Sequence, residues 1–277
     1  MTQPAPMIHL TARALPGTLL FHDWTEALEL WRRLLRAFPD ARALCLMPNH
    51  PHVVTPDDHA RARLTGVMSG YARWRGHHRD QDAACWQPQP RAEPIPDAAH
   101  QRRTVRYVLL NPCRGNLVAD PLAWPLSLHR DLVGLGDPAW RARDPDALHR
   151  YVSSDPTVSV SGTELPGLYA GRASLDAIEA AVGAVLRLQP SDARVCPPAR
   201  KLLVRAAWYR DHTDLPALAA HLGVSRSGAY KLLGTPPTRA SIGEDPWLSA
   251  VLRATGDPRF PALTPRRGGA YWSDWRL

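Results

Sequence analysis

Leu44-Cys45-Leu46-Met47-Pro48-Asn49-His50-Pro51-His52-Val53-Val54 decides how the chain is read. It is an apolar run into which two histidines are set one residue apart. The run predicts a buried strand over about residues 43–54, and in an extended chain residues i and i+2 share a face. His50 and His52 can then turn both imidazoles toward one point, which is what a metal ion asks of neighbouring ligands. For an isolated His-x-His the commoner reading is structural: a buried strand with the histidines as polar punctuation. The rest of the chain decides between the two.

Working outward, Met7-Ile8-His9-Leu10-Thr11-Ala12-Arg13 alternates as a strand does, and Pro16-Gly17 ends it. Ala27, Leu28, Trp31, Leu34, Leu35 and Phe38 recur at helical spacing and predict a helix over about 24–38, stopped by Pro39-Asp40. Downstream, Pro56-Asp57-Asp58 opens a second helix, about 58–78, with Leu64, Val67, Met68, Tyr71 and Trp74 on one face. Residues 79–99 carry prolines at 88, 90, 94 and 96 and read as irregular. A third helix, about 97–110, is expected to end at Asn111-Pro112, because proline disfavours the helical state in the residue before it. Strands interleaved with helices make this part of the chain mixed α and β.

A chain of 277 residues can bury a proper core and suggests one or two domains. Its formal charge is +8, and Lys201 and Lys231 are its only lysines, so the positive charge is almost all arginine. Guanidinium groups make bidentate contacts to phosphates and guanine edges, which suits a nucleic-acid partner, although codon bias alone can enrich arginine. Cys45, Cys85, Cys113 and Cys196 are scattered without a Cys-x-x-Cys pair, which argues against a zinc knuckle or a disulfide framework. No leader-like N-terminus and no apolar run of ~18 residues is visible, so a cytoplasmic protein without membrane contact is expected.

The third helix changes the odds for the histidines. Tyr107 and Asn111 are four residues apart and share a helix face. Tyrosine can act as a nucleophile, and an asparagine oxygen can bind a hard cation. Two imidazoles and one amide oxygen leave open positions on a divalent ion. A scissile phosphate could take them while the tyrosine oxygen attacks. By spacing alone, a Tyr and an Asn on a helix are more often core and cap.

Four stretches, taken in order, resemble the single-tyrosine HUH transposases, in particular the REP-associated tyrosine transposases. Leu46-Met47-Pro48-Asn49-His50-Pro51-His52-Val53-Val54 resembles the family's histidine strand, and Trp86-Gln87 its Trp-Gln pair. Tyr107-Val108-Leu109-Leu110-Asn111-Pro112, followed by Arg114-Gly115-Asn116-Leu117-Val118, resembles its tyrosine helix, and Trp124-Pro125-Leu126-Ser127 the segment beyond. The likeness covers about residues 7–132. It implies an α+β fold: a ferredoxin-like antiparallel sheet with helices on one side. It implies that His50, His52 and Asn111 bind Mg²⁺ or Mn²⁺. It makes Tyr107 the nucleophile that forms a 5′-phosphotyrosine bond to single-stranded or hairpin DNA. Arg13 resembles a basic residue found near the first strand, where it would touch a DNA phosphate. Pro51 departs from the family pattern, which has a large apolar residue between the histidines. Proline lacks a donor and fits a central strand poorly, yet it fixes only its own φ.

The expected domains are a catalytic one over 1–133, a linker and helix over 134–190, a helical one over 191–240, and an irregular tail over 241–277. The linker's helix is Leu175 to Leu188, and a further helix is expected from Leu202 to Asp211. Leu215 to Leu233 reads as helix-turn-helix, with Gly223 at the turn and Ser225 as N-cap of the second helix. Arg226, Ser227, Tyr230 and Lys231 would face duplex DNA. A helical hairpin that packs only against protein is the alternative. For the whole chain the expected function is metal-dependent DNA cleavage and strand transfer, as monomer or homodimer. The alternatives are a DNA-binding protein without catalysis on the same scaffold and a metallohydrolase unrelated to DNA.

Overall fold

The computed structural model describes residues 6–57, 59–79, 84–168, 173–188 and 192–260. The chain forms two compact units. Of the described residues the first holds 6–129 and 151–161, and the second 130–150 and 162–260.

The first unit runs β1 (Met7–Thr11), α1 (Trp24–Ala37), β2 (Ala43–Leu46), β3 (Pro51–Pro56), α2 (Ala60–Arg79), β4 (Arg91–Ile95), α3 (Ala98–Arg114). The four strands form one antiparallel sheet in the order β2-β3-β1-β4. A β-α-β-β-α-β run with its first and third strands side by side in the middle is a split β-α-β arrangement, and the unit is α+β. Asp23 caps α1 by accepting from the Glu26 amide at 2.9 Å, and Asp97 caps α3 by accepting from the His100 amide at 2.7 Å.

Strand alternation sorts the sheet into two faces. Thr11 pairs with His52 and Arg91, and His9 pairs with Val54 and Glu93, so the polar residues His9, Thr11, His52, Arg91 and Glu93 share one face. Ile8, Leu10, Val53 and Thr55 take the other. There the Thr55 hydroxyl donates to Asp40, which also accepts from Arg63 of α2, while α1 and α2 pack side by side. The third helix lies on the polar face, where the Tyr107 ring meets the rings of His9 and His52. The expectation of helices on one side is corrected accordingly. α1 and α2 cover the apolar face, and α3 covers the other.

The histidine stretch is not one strand. It is a hairpin, β2 and β3, closed at Met47-Pro48-Asn49-His50, with the Met47 amide donating to the His50 carbonyl at 2.9 Å. Pro-Asn is turn chemistry, proline presetting φ and asparagine tolerating the sharp bend. Pro51 thereby becomes the first residue of β3, beyond the last β1 pair at Thr11 and His52. A strand's first residue is where proline is tolerated. The outer edge of β2 is also covered, since the Leu46 amide donates to Leu126 and the Leu128 amide to Leu44. Trp124, fully buried, donates from its indole to the Leu46 carbonyl at 3.0 Å.

Two further expectations change. β4 lies inside the proline-rich stretch that read as irregular, and Pro94 fits because β4 is an edge strand. The third helix runs through Pro112 to Arg114 instead of stopping at Asn111. Leu109, Leu110 and Cys113 are buried. The orphan carbonyls of the last turn accept from the Gly115, Asn116 and Leu117 amides. Packing and capping together outweigh the proline's missing donor.

The second unit begins within α4 (His129–Leu132), passes through α5 (Pro145–Ser153), whose end belongs to the first, and continues as α6 (Leu175–Leu186), α7 (Pro197–Tyr209), α8 (Leu215–Leu222), α9 (Arg226–Leu233), α10 (Arg239–Glu244) and α11 (Pro246–Ala254). Two of these helices start at Asp-Pro pairs. Asp144 accepts from the Ala147 amide ahead of α5, and Asp245 from the Leu248 amide ahead of α11. An aspartate cap followed by proline at the first helical position is a start signal, because that position needs no donor. α7 likewise begins at Pro197, earlier than Leu202. α10 and α11 stand where irregular chain was expected, and residues 261–277 of that tail lie outside the described residues. A bidentate Arg187–Asp131 pair, at 2.9 and 2.6 Å, is buried in this unit.

Gly223 ends α8 at φ +62° with open space around its missing Cβ, and Ser225 caps α9 by accepting from the Gly228 amide at 3.1 Å. Gly223→Ala is expected to cost about 1–2 kcal/mol, from the backbone alone. Gly66, exposed inside α2 with nothing near its missing Cβ, is the opposite case, and Gly66→Ala should stabilise by about 0.5–1 kcal/mol. Urea unfolding of both variants checks the sign of each.

Candidate functional site

Three elements of the first unit converge on the polar face of the sheet. The hairpin turn presents His50, β3 presents His52, and α3 presents Tyr107. The His50 and His52 rings lie 4.5 Å apart edge to face, and the Tyr107 ring stands 5.6 Å from His52 at 90°. His52 is 3% exposed, whereas Tyr107 is 41% exposed. A nucleophile-type side chain open to solvent thus sits over a buried imidazole.

The histidines are held by specific partners. His50 Nδ1 lies 2.5 Å from the side-chain oxygen of Asn49, which can only accept, so the ring's proton is on Nδ1 and Nε2 carries the lone pair. His52 Nδ1 lies 3.0 Å from His9 Nε2, and His52 Nε2 is buried with no hydrogen-bond partner. Burial, reinforced by the Arg13 guanidinium and His9, pushes the His50 pKa down to about 4. Burial, then His50, His9 and Arg13, pushes that of His52 down to about 2. Both imidazoles are therefore neutral near pH 7, the form that binds metal.

Asn111 lies one helical turn beyond Tyr107, buried, and its Nδ2 also lacks a partner. Unpaired buried polar atoms are costly; the His52 Nε2 lone pair is suited to a cation, whereas Asn111 Nδ2 is a donor and is suited to an acceptor. Two neutral imidazoles that lie edge to face, one with a buried Nε2 that has no partner, are donors that fit a divalent cation.

Beside Tyr107 opens a cavity of about 330 Å³, walled by His9, Thr11, Arg13, His52, Arg91, Glu93, His100, Arg103 and Thr104 among others. His50 and Asn111 are not part of this wall. Arg13, exposed, lines the same wall as His52 and Tyr107. The segment 151–161 braces α3 from outside. Asp155 takes Arg106 and Arg114 together, each at 3.1 Å, and Arg114 stands over the Tyr107 ring at 5.6 Å.

The sequence reading missed His9, Glu93, His100, Arg91 and Arg103. Arg91 and Glu93 belong to β4, in a stretch that read as irregular, and His100 and Arg103 to the first turns of α3. A signal existed for His9: His9, Thr11 and Arg13 alternate with apolar residues, which sets His9 and Thr11 on one face of β1 with Arg13 two residues beyond its end.

The remaining expected residues lie in the second unit. Arg226, Ser227, Tyr230 and Lys231 are all exposed on α9, and the Arg226 guanidinium stands 5.9 Å over the Tyr230 ring. Among the described residues no helix is long and apolar enough to cross a membrane.

No protein-family model matches the chain, and no curated protein matches it. A solved structure of a REP-associated tyrosine transposase bound to a REP hairpin is similar over 52% of this chain and 90% of that chain, with 20% identity and a TM-score of 0.39.

Proposed function

We propose that the first unit cleaves and rejoins single-stranded, hairpin-bearing DNA through Tyr107, with the assistance of a divalent metal. The observation that carries this reading is the exposed Tyr107 phenol standing on the buried His52 ring, whose Nε2 has no partner. The ordered sequence motifs around His50, His52, Tyr107 and Asn111 point the same way.

In this reading His50 Nε2, His52 Nε2 and the Asn111 amide oxygen hold Mg²⁺ or Mn²⁺. A cation held there would supply charge neutralisation at the scissile phosphate. Tyr107 Oη attacks phosphorus. The Oη–P bond forms as the bond to the 3′ oxygen breaks, and the phenolic proton passes through solvent to that departing oxygen. The products are a 5′-phosphotyrosine and a free 3′-OH, and attack by a 3′-OH reverses the step. Arg13, Arg91 and Arg103 around the cavity supply guanidinium partners for the flanking phosphates. The test is incubation of the full chain with hairpin-bearing single-stranded oligonucleotides and Mn²⁺. A covalent protein–DNA adduct supports the proposal. Hairpin binding without an adduct favours a DNA-binding protein on the same scaffold.

α9 of the second unit adds contact to duplex DNA. Its support is an exposed face carrying Arg226, Ser227, Tyr230 and Lys231, at the end of a helix-turn-helix fixed by Gly223 and Ser225. Arg226→Ala with Lys231→Ala is expected to weaken duplex binding and to reduce the slope of log K against log salt by about 2. Fluorescence anisotropy across a salt series reads both. An unchanged slope would mean that α9 packs only against protein.

A further inference from the structure

Sheet register places His9 of β1 on the same face as His52, with Glu93 of β4 directly opposite. The His9 and His52 rings stack at 5.2 Å and 15°, with His9 Nε2 3.0 Å from His52 Nδ1. On its other side, His9 Nδ1 lies 3.9 Å from a Glu93 carboxylate oxygen. A neutral imidazole carries one proton, so only one of the two facing nitrogens donates. If His9 Nε2 donated, His9 Nδ1 would turn a lone pair toward a carboxylate. His52 would then carry its proton on Nε2, a buried donor with no acceptor. If His52 Nδ1 donates, the first problem disappears, and the unpaired Nε2 becomes an acceptor that a cation can complete. The His9 proton faces Glu93, and His52 Nε2 is a bare lone pair.

We propose that Glu93 and His9 are positioning residues that hold His52 in its Nδ1–H tautomer and aim its Nε2 lone pair at a divalent cation. The proposal rests on the reading of His52 as a ligand and extends it to two residues that act on the cation through His52. His9 does most of the orienting. Glu93 is exposed and its contact long, so its share is smaller. Partners of this kind fix ring orientation and raise ligand basicity.

The full chain is labelled with ¹⁵N-histidine, and long-range ¹H–¹⁵N spectra of metal-free protein report the His52 tautomer. Mn²⁺ affinity is measured separately by titration calorimetry. His52 is expected as the Nδ1–H form in the wild type. His9→Gln keeps an oxygen that can accept from His52 Nδ1 and should preserve both tautomer and affinity. His9→Leu should mix the tautomers and weaken Mn²⁺ binding by about 10–100-fold. Glu93→Ala, at an exposed edge-strand position, gives a variant whose folding is not at stake and should weaken Mn²⁺ binding by a smaller factor. An Nε2–H form of His52 in the wild type overturns the proposal. So does a His9→Leu protein with wild-type tautomer and affinity. If the wild type shows the Nδ1–H form but binds no Mn²⁺, the metal reading itself fails, and with it the cation role of the relay.

Discussion

Tyr107→Phe should abolish the covalent protein–DNA adduct, by at least about 10⁴-fold in rate, while hairpin binding stays nearly unchanged. The substitution removes one oxygen and nothing else. The ring keeps its edge contacts with His9 and His52 and its place under the Arg114 guanidinium. Because Tyr107 is 41% exposed, stability should move by no more than about 0.5 kcal/mol. Labelled oligonucleotide run on a denaturing gel with Mn²⁺ reads the adduct, and anisotropy reads binding. Adduct that survives in the variant would remove Tyr107 as nucleophile. Wild-type protein that binds the hairpin and never forms an adduct would leave a DNA-binding scaffold. Hydrolysis of a substrate with which DNA does not compete would favour the metallohydrolase reading.

The parts of the site that the sequence made legible are those that depend on local spacing. Tyr107 and Asn111 are one helical turn apart wherever the helix ends, so misplacing its end at Asn111 did no harm to their relation. The histidines are a different case. Their shared direction was argued from an unbroken strand, yet the chain turns at Met47-Pro48-Asn49-His50, and the two rings meet by virtue of the hairpin. The same turn moves Pro51 from the middle of a strand to its first residue. What alternation alone could not supply was pairing across strands. His9, His52 and Glu93 are far apart in the chain, and only the β2-β3-β1-β4 order aligns them. The Asp-Pro pairs show a second limit, because proline both stops and starts helices, and the aspartate before it decides which.

That arrangement of histidines also carries the second large effect, an acid sensitivity that sets in well above the carboxylate range. In the unfolded chain a histidine takes up its proton near pH 6.5, whereas folded His52 stays neutral until about 2 and folded His50 until about 4. Both folded values lie below the unfolded one, so the unfolded state binds more protons throughout the window between them. Stability therefore falls as the pH drops through about 6.5 and continues falling toward about 4. A fully buried histidine contributes a slope that rises to about 1.4 kcal/mol per pH unit below its unfolded pKa, so His52 alone should cost about 2 kcal/mol between pH ~6.5 and ~4.5. His50, half-buried, adds a smaller share in the same direction. Urea unfolding in EDTA at the two pH values measures this loss without any contribution from bound metal. His52→Gln cannot titrate, so its two values should lie closer together than those of the wild type by about 2 kcal/mol, whatever the substitution does to stability at either pH. Equal pH dependence in the two proteins would mean that His52 reaches water in the folded state. It would also mean that the buried lone pair on which the metal reading depends is not maintained.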